Sequence, residues 1–151
     1  MTTRFEQFSS AIYAIYRDIL KIQRDEMTKH NLKGSYALYL TVIHHHTEGL
    51  TATQLCEACD KDKAAISRVI SELEQKGLVT RVSNRDTLYR AKLKLTESGS
   101  AIADQVDRAA SIAVDRATKG MSEEQRKTMY ECLGLIATNL RGICKDGIPT
   151  E

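Results

Sequence analysis

The sequence predicts a mainly α-helical chain with a small two- or three-stranded β wing. Three observations carry that expectation. Apolar residues recur at three- and four-residue intervals over most of the chain, the spacing of helices with one buried face. A period-two alternation appears once, between residues 78 and 95. Capping signatures (Thr51 with Gln54, Asp62, Gly77, Ser122 with Gln125) punctuate the helical stretches where the pattern changes.

The 151 residues make one domain, long enough to bury a real core, and one Pro with eight Gly argues against extended linkers. No run of about 18 apolar residues exists, so no membrane partner is expected. The start, Met1-Thr2-Thr3-Arg4-Phe5-Glu6, lacks the apolar core of a signal peptide, which places the expected protein in the cytoplasm. Neither an internal repeat nor a low-complexity segment stands out. The net charge of +2 is unremarkable, but its distribution is not. Between Lys61 and Lys94 there are nine Lys/Arg against four Asp/Glu, a local +5 that leaves the remainder at −3. A basic module on a mildly acidic body is the footprint of a phosphate-binding surface.

The first helix is predicted over residues 4 to 28. Phe5, Phe8, Ile12, Ile15, Ile19 and Ile22 form a narrow seam, suited either to an intramolecular bundle or to a partner subunit. Residues 31 to 35 break it, with Gly34 as the flexible point and Ser35 as the cap of a second helix from Tyr36 to about His46. A short third helix starts after Thr51 and stops near Cys59. Asp60 then turns the chain through a left-handed conformation, and Asp62 caps a fourth helix.

That fourth helix is the centre of the chain. Ile66, Val69, Ile70 and Leu73 share the side that seeks a core, while Ala64, Ser67, Arg68, Ser71 and Gln75 lie opposite. Small residues let a helix backbone approach a groove floor, and one Arg can reach guanine or phosphate. Gly77 ends the helix. Residues 78–82 and 88–95 then read as strands around a turn at 83–87, with Ala91, Leu93 and Leu95 facing inward and Arg90, Lys92 and Lys94 outward. A lone hairpin is marginal, so it must lean on the helices as a wing. A fifth helix is predicted from residue 96 to about Lys119. A sixth follows the Ser122 cap, with Met129, Cys132, Leu133, Ile136, Leu140 and Ile143 on its apolar face. The whole is a winged helix-turn-helix.

Leu50-Thr51-x-x-x-Leu55, Ile66-Ser67-Arg68 followed by Leu73, Gly77-Leu78-Val79-x-Arg81, and Leu95-Thr96-x-x-Gly99 together resemble the MarR family of winged helix-turn-helix regulators. The resemblance runs nearly end to end, and the Gly-Leu-Val-x-Arg with its later Leu-Thr-x-x-Gly is the specific part. It implies a single domain over 1–151, with residues 36–95 as the DNA-binding part and 4–30 and 96–145 as dimerisation helices. It implies a homodimer on a pseudo-palindromic double-stranded DNA operator, usually as a repressor released by a small-molecule effector. Lys63, Ala64, Ser67, Arg68 and Ser71 would then face the major groove, with Arg81, Arg85, Arg90 and Lys92 serving the wing. The family's wing Asp-x-Arg pair falls here on Thr87 and Tyr89, with Asp86 and Arg90 one residue outside each, so either Arg85 or Arg90 is open as the minor-groove residue. The family's effector cleft makes Tyr13, Tyr16, Tyr36 and Tyr39 candidate ligand walls.

Other candidates are weaker. Cys56-x-x-Cys59 permits a thiol- or metal-responsive sensor as an alternative reading, but buried Cys is more often packing. Cys132 and Cys144 read as core or interface residues. His44-His45-His46 point about 100° apart on a helix and cannot chelate one ion together. No metal or cofactor is expected, and no catalytic constellation stands out, so the chain reads as a binding protein rather than an enzyme.

Overall fold

In a computed structural model the described residues are 3–83 and 90–150. The element order is α1 (Arg4–Lys29), α2 (Tyr36–His44), α3 (Ala52–Cys59), α4 (Lys63–Gln75), β1 (Val79–Val82), β2 (Lys92–Leu95), α5 (Glu97–Ala117) and α6 (Glu123–Asp146). The chain forms two compact units, one up to Ile112 and one from Ala113.

Local chemistry accounts for most boundaries. Thr51 and Gln54 exchange side-chain bonds with each other's backbone amides, at 3.2 and 2.9 Å, closing the capping box that starts α3. Asp60 ends it in a left-handed conformation (φ 50°). Asp62 Oδ1 accepts from the Ala65 amide at 2.7 Å and starts α4. At the other end Gly77 (φ 70°) lets the amides of Gly77 and Leu78 fold back onto the carbonyls of Glu74 and Leu73, both at 2.9 Å, a Schellman closure. Ser122 and Gln125 repeat the capping box at α6.

Two sequence expectations are corrected. Ser35 does not cap α2: its backbone is already helical and its side chain makes no cap bond. The carbonyls of Lys33 and Gly34 take the first amides instead, at 3.0 and 3.2 Å. The chain turns left-handed before α2 at Asn31, at φ 56°. In addition α2 stops at His44, two residues early, because the His46 amide turns back to Ile43 and the Gly49 amide to His46.

The core of the first unit collects one face from each element: Met27, Tyr36, Leu40 and Ile43, then Leu50, Leu55, Ile66, Ile70 and Leu73, then Leu93, Ala103 and Val106. β1 and β2 pair antiparallel with Val79 opposite Leu95 and Val82 opposite Lys92. Leu50 adds a single bridge to Leu93, a one-residue third strand that ties the start of the helix-turn-helix to the wing. Gly49 (φ 78°) permits it, since a Cβ there would lie 3.0 Å from the Leu93 carbonyl oxygen. The α1 seam behaves differently. Ile19 and Ile22 are partly covered, whereas Phe5, Phe8, Ile12 and Ile15 are exposed, Phe5 at 76%. In the second unit no residue of α6 is buried, and Leu133, Leu135 and Leu140 are exposed.

Candidate nucleic-acid interface

The two faces of α4 separate as the spacing predicts. Ile66, Ile70 and Leu73 are buried and Val69 packs on their edge, so Lys63, Ala64, Ser67, Arg68, Ser71 and Gln75 are left exposed in one stripe. Among the described residues Lys63 and Arg68 have no ion-pair partner, and both are open to a ligand's phosphates or base edges. A groove of about 360 Å³ runs beside this stripe, lined by Ala52, Thr53 and Cys56 of α3, Lys63, Ile66, Ser67 and Ile70 of α4, and Arg81 of β1.

The acids of α4 are drawn aside. Glu72 accepts from Lys33 Nζ at 2.8 Å and from the Tyr36 hydroxyl, so one carboxylate joins α4 to the start of α2. The Lys33 bond and then the Tyr36 bond hold the Glu72 carboxyl below its usual range, and burial first, then Glu72, pushes the Tyr36 phenol up. Glu74 takes Arg81 Nε at 2.8 Å and Nη2 at 3.4 Å, which locks β1 against the end of α4. The acidic groups therefore serve as internal ties, and the cations of the exposed stripe keep their charge unmatched.

The other sequence candidates fall as follows. Arg81 lies in the groove, engaged by Glu74. Arg90 and Lys92 are exposed at the base of the hairpin, without ion-pair partners among the described residues. Arg85, with Asp86, Thr87 and Tyr89, lies outside the described residues. Tyr13 and Tyr16 are exposed on α1, whereas Tyr36 and Tyr39 belong to the core. Cys59 is buried, and that burial pushes its thiol up, which disfavours the thiolate that redox chemistry needs. Cys56 is partly exposed in the groove, and Cys132 and Cys144 are exposed on α6. The three histidines part company: His44 Nε2 meets Asp104 at 3.1 Å, His45 Nε2 meets Asp107 at 2.8 Å, and His46 Nδ1 meets the Val42 carbonyl at 2.7 Å. Among the described residues no three His, Cys, Asp or Glu gather where a metal ion could sit.

Sequence reasoning missed the Glu72–Lys33–Tyr36 tie, whose partners lie 36 and 39 residues away. Nor did it show that Lys94, on the same face of β2 as Lys92, also lines a cavity.

The MarR family model matches residues 30–87, from the break before α2 into the hairpin. Over these residues the chain is similar to that family. Solved structures extend the likeness to the whole fold. A Listeria monocytogenes protein described as a MarR-family transcriptional regulator, complexed with a 26mer DNA, superposes with a TM-score of 0.77 at 23% identity, covering 94% of this chain and 96% of that one. The Staphylococcus aureus MepR–DNA complex gives 0.71 at 17%, over 87% and 97%. NadR in complex with 4-hydroxyphenylacetate gives 0.72 at 14%, over 91% and 96%. The MarR fold thus accounts for the long α1, α5 and α6 as well as for the matched segment.

Proposed function

We propose that this chain is a homodimeric, sequence-specific double-stranded DNA-binding transcriptional regulator that acts as a ligand-responsive repressor on a pseudo-palindromic operator. The observation that carries the reading is the exposed stripe of α4, where small residues flank an unpaired Arg68 while Glu72 and Glu74 are tied elsewhere. Ser67, Arg68 and Ser71 would meet base edges or phosphates in the major groove, with Lys63 at the helix start and Arg90 and Lys92 beside the duplex. Arg85 is assigned to the wing by its place in the sequence. Arg81 acts in this reading by holding the wing strand to α4.

The exposed Phe5, Phe8, Ile12 and Ile15 supply the apolar surface that a second subunit would cover. Two reading heads on a two-fold axis require half-sites about 34–36 Å apart. An effector is part of the proposal. Of the four tyrosines, Tyr13 and Tyr16 have surface to offer it, and Tyr36 would transmit strain to α4 through Glu72.

The test is selection of bound fragments from the source genome, followed by titration of Arg68→Ala on the recovered operator. A base-reading arginine costs about 1–3 kcal/mol when removed and relaxes preference at one base pair. A phosphate-gripping one lowers the salt slope by about one without changing sequence preference. Affinity untouched by the substitution and by salt would overturn the assignment.

A second reading, thiol-responsive regulation, rests on the exposure of Cys56 in the groove beside Ser67 and Lys63, where an adduct would obstruct the approach of DNA. Intact-mass measurement under mild peroxide separates it from packing: an unmodified chain leaves Cys56 a structural residue.

A further inference from the structure

Away from the DNA-reading stripe, a cavity of about 220 Å³ opens where the end of α2, strand β2 and the first turn of α5 meet. Its walls are Ile43, Leu95, the hydroxyl residues Thr47 and Ser100, and three nitrogen bases, His44, His46 and Lys94. Among the described residues no carboxylate lines it. Two acids of α5 are engaged by histidines, Asp104 by His44 Nε2 and Asp107 by His45 Nε2, while Glu48, next to Thr47, and Glu97, one turn before Ser100, stand exposed toward solvent. Lys94 is only partly exposed and has no ion-pair partner among the described residues. A partly covered lysine with no ion-pair partner among the described residues, beside hydroxyls and imidazoles, creates a local positive potential that an anion would relieve.

We propose that this cavity binds a small oxyanion, a sulfate- or phosphate-like group, with Lys94 as its principal charge and Ser100 and Thr47 as hydroxyl donors. The volume is below the roughly 300–1,000 Å³ of sites for drug-sized ligands, which favours a compact anion over a large organic effector. His46 Nδ1 lies 2.7 Å from the Val42 carbonyl, so this nitrogen carries the hydrogen. The occupant would join wing strand β2 to α2 and α5, independently of whether the α4 stripe reads DNA.

Sulfate is the suitable probe, because its own charge is constant around neutral pH. Titrated into the full-length chain and followed by backbone amide NMR, it should saturate one site per chain, moving the amides of His46, Lys94 and Ser100. Lys94→Ala should weaken binding about tenfold or more and Lys94→Arg should retain it, while Arg68→Ala should have no effect. A parallel titration with a nucleoside monophosphate tells a free inorganic ion from a phosphate borne on a larger molecule. Shifts that grow linearly with sulfate, shifts confined to α4 and abolished by Arg68→Ala, or binding unchanged in a folded Lys94→Ala chain would each overturn the proposal.

Discussion

Gly99 sits in the first turn of α5, and replacing it with alanine sets two physical effects against each other. A Cβ at this position would lie 2.0 Å from the Leu78 carbonyl oxygen and 3.0 Å from its carbon. Carbon–oxygen contact normally needs well over 3 Å, so α5 would have to retreat by about 1 Å, because a backbone carbonyl cannot rotate aside as a side chain can. That retreat strains the bonds docking α5 on the α4–β1 turn, from the Thr96 amide to Leu78 at 3.0 Å and from the Thr96 hydroxyl to Gly77 at 2.6 Å. Overpacking costs about 1–3 kcal/mol, and each weakened hydrogen bond up to about 0.5–1.5 kcal/mol. Helix propensity opposes this by about 0.8–1.0 kcal/mol in favour of alanine. The expected net effect is a destabilisation of about 1–3 kcal/mol, or about 2–12 °C in Tm for a chain of this size. Urea unfolding at a fixed protein concentration measures it as a lower midpoint with an unchanged slope. A midpoint that rises, as propensity alone requires, would refute the argument from close approach.

Three further outcomes follow from local geometry. Asp62→Ala removes the side-chain acceptor of the Ala65 amide and should cost about 0.5–2 kcal/mol in the same unfolding assay, with Asp62→Asn recovering most of it. Glu72 has a folded-state pKa below its unfolded value, so its contribution is fully present above about pH 4.3 and is lost as the pH falls through the lower folded value. Glu72→Gln should accordingly flatten the acid limb of the stability profile, and an unchanged limb would show that the Lys33–Glu72 contact carries no weight. For Arg81 and Glu74, both about two-thirds covered, a double-mutant cycle should return a coupling of up to about 1 kcal/mol. A coupling indistinguishable from zero would mean the wing strand is held by its backbone ladder alone.

The features legible in the sequence share one property: each is decided by residues within about four positions. Thr51 with Gln54, Asp62 with Ala65 and Ser122 with Gln125 are written into consecutive side chains, and so is the stripe that buries Ile66, Ile70 and Leu73 while exposing Ser67 and Arg68. Even the local reading failed where a competing acceptor was at hand, as at Ser35, whose capping role passed to the carbonyls of Lys33 and Gly34.

What the chain order alone determined, then, is where α3, α4 and α6 begin, which face of α4 is apolar, and where positive charge concentrates. Tertiary structure decided which charges are spent. Glu72 went to Lys33 and Tyr36, Arg81 to Glu74, His44 and His45 to Asp104 and Asp107, and Lys94 to a cavity wall. The reason is physical: caps and amphipathic stripes follow from short-range geometry, whereas these ion pairs form only once packing has brought together groups far apart in the chain.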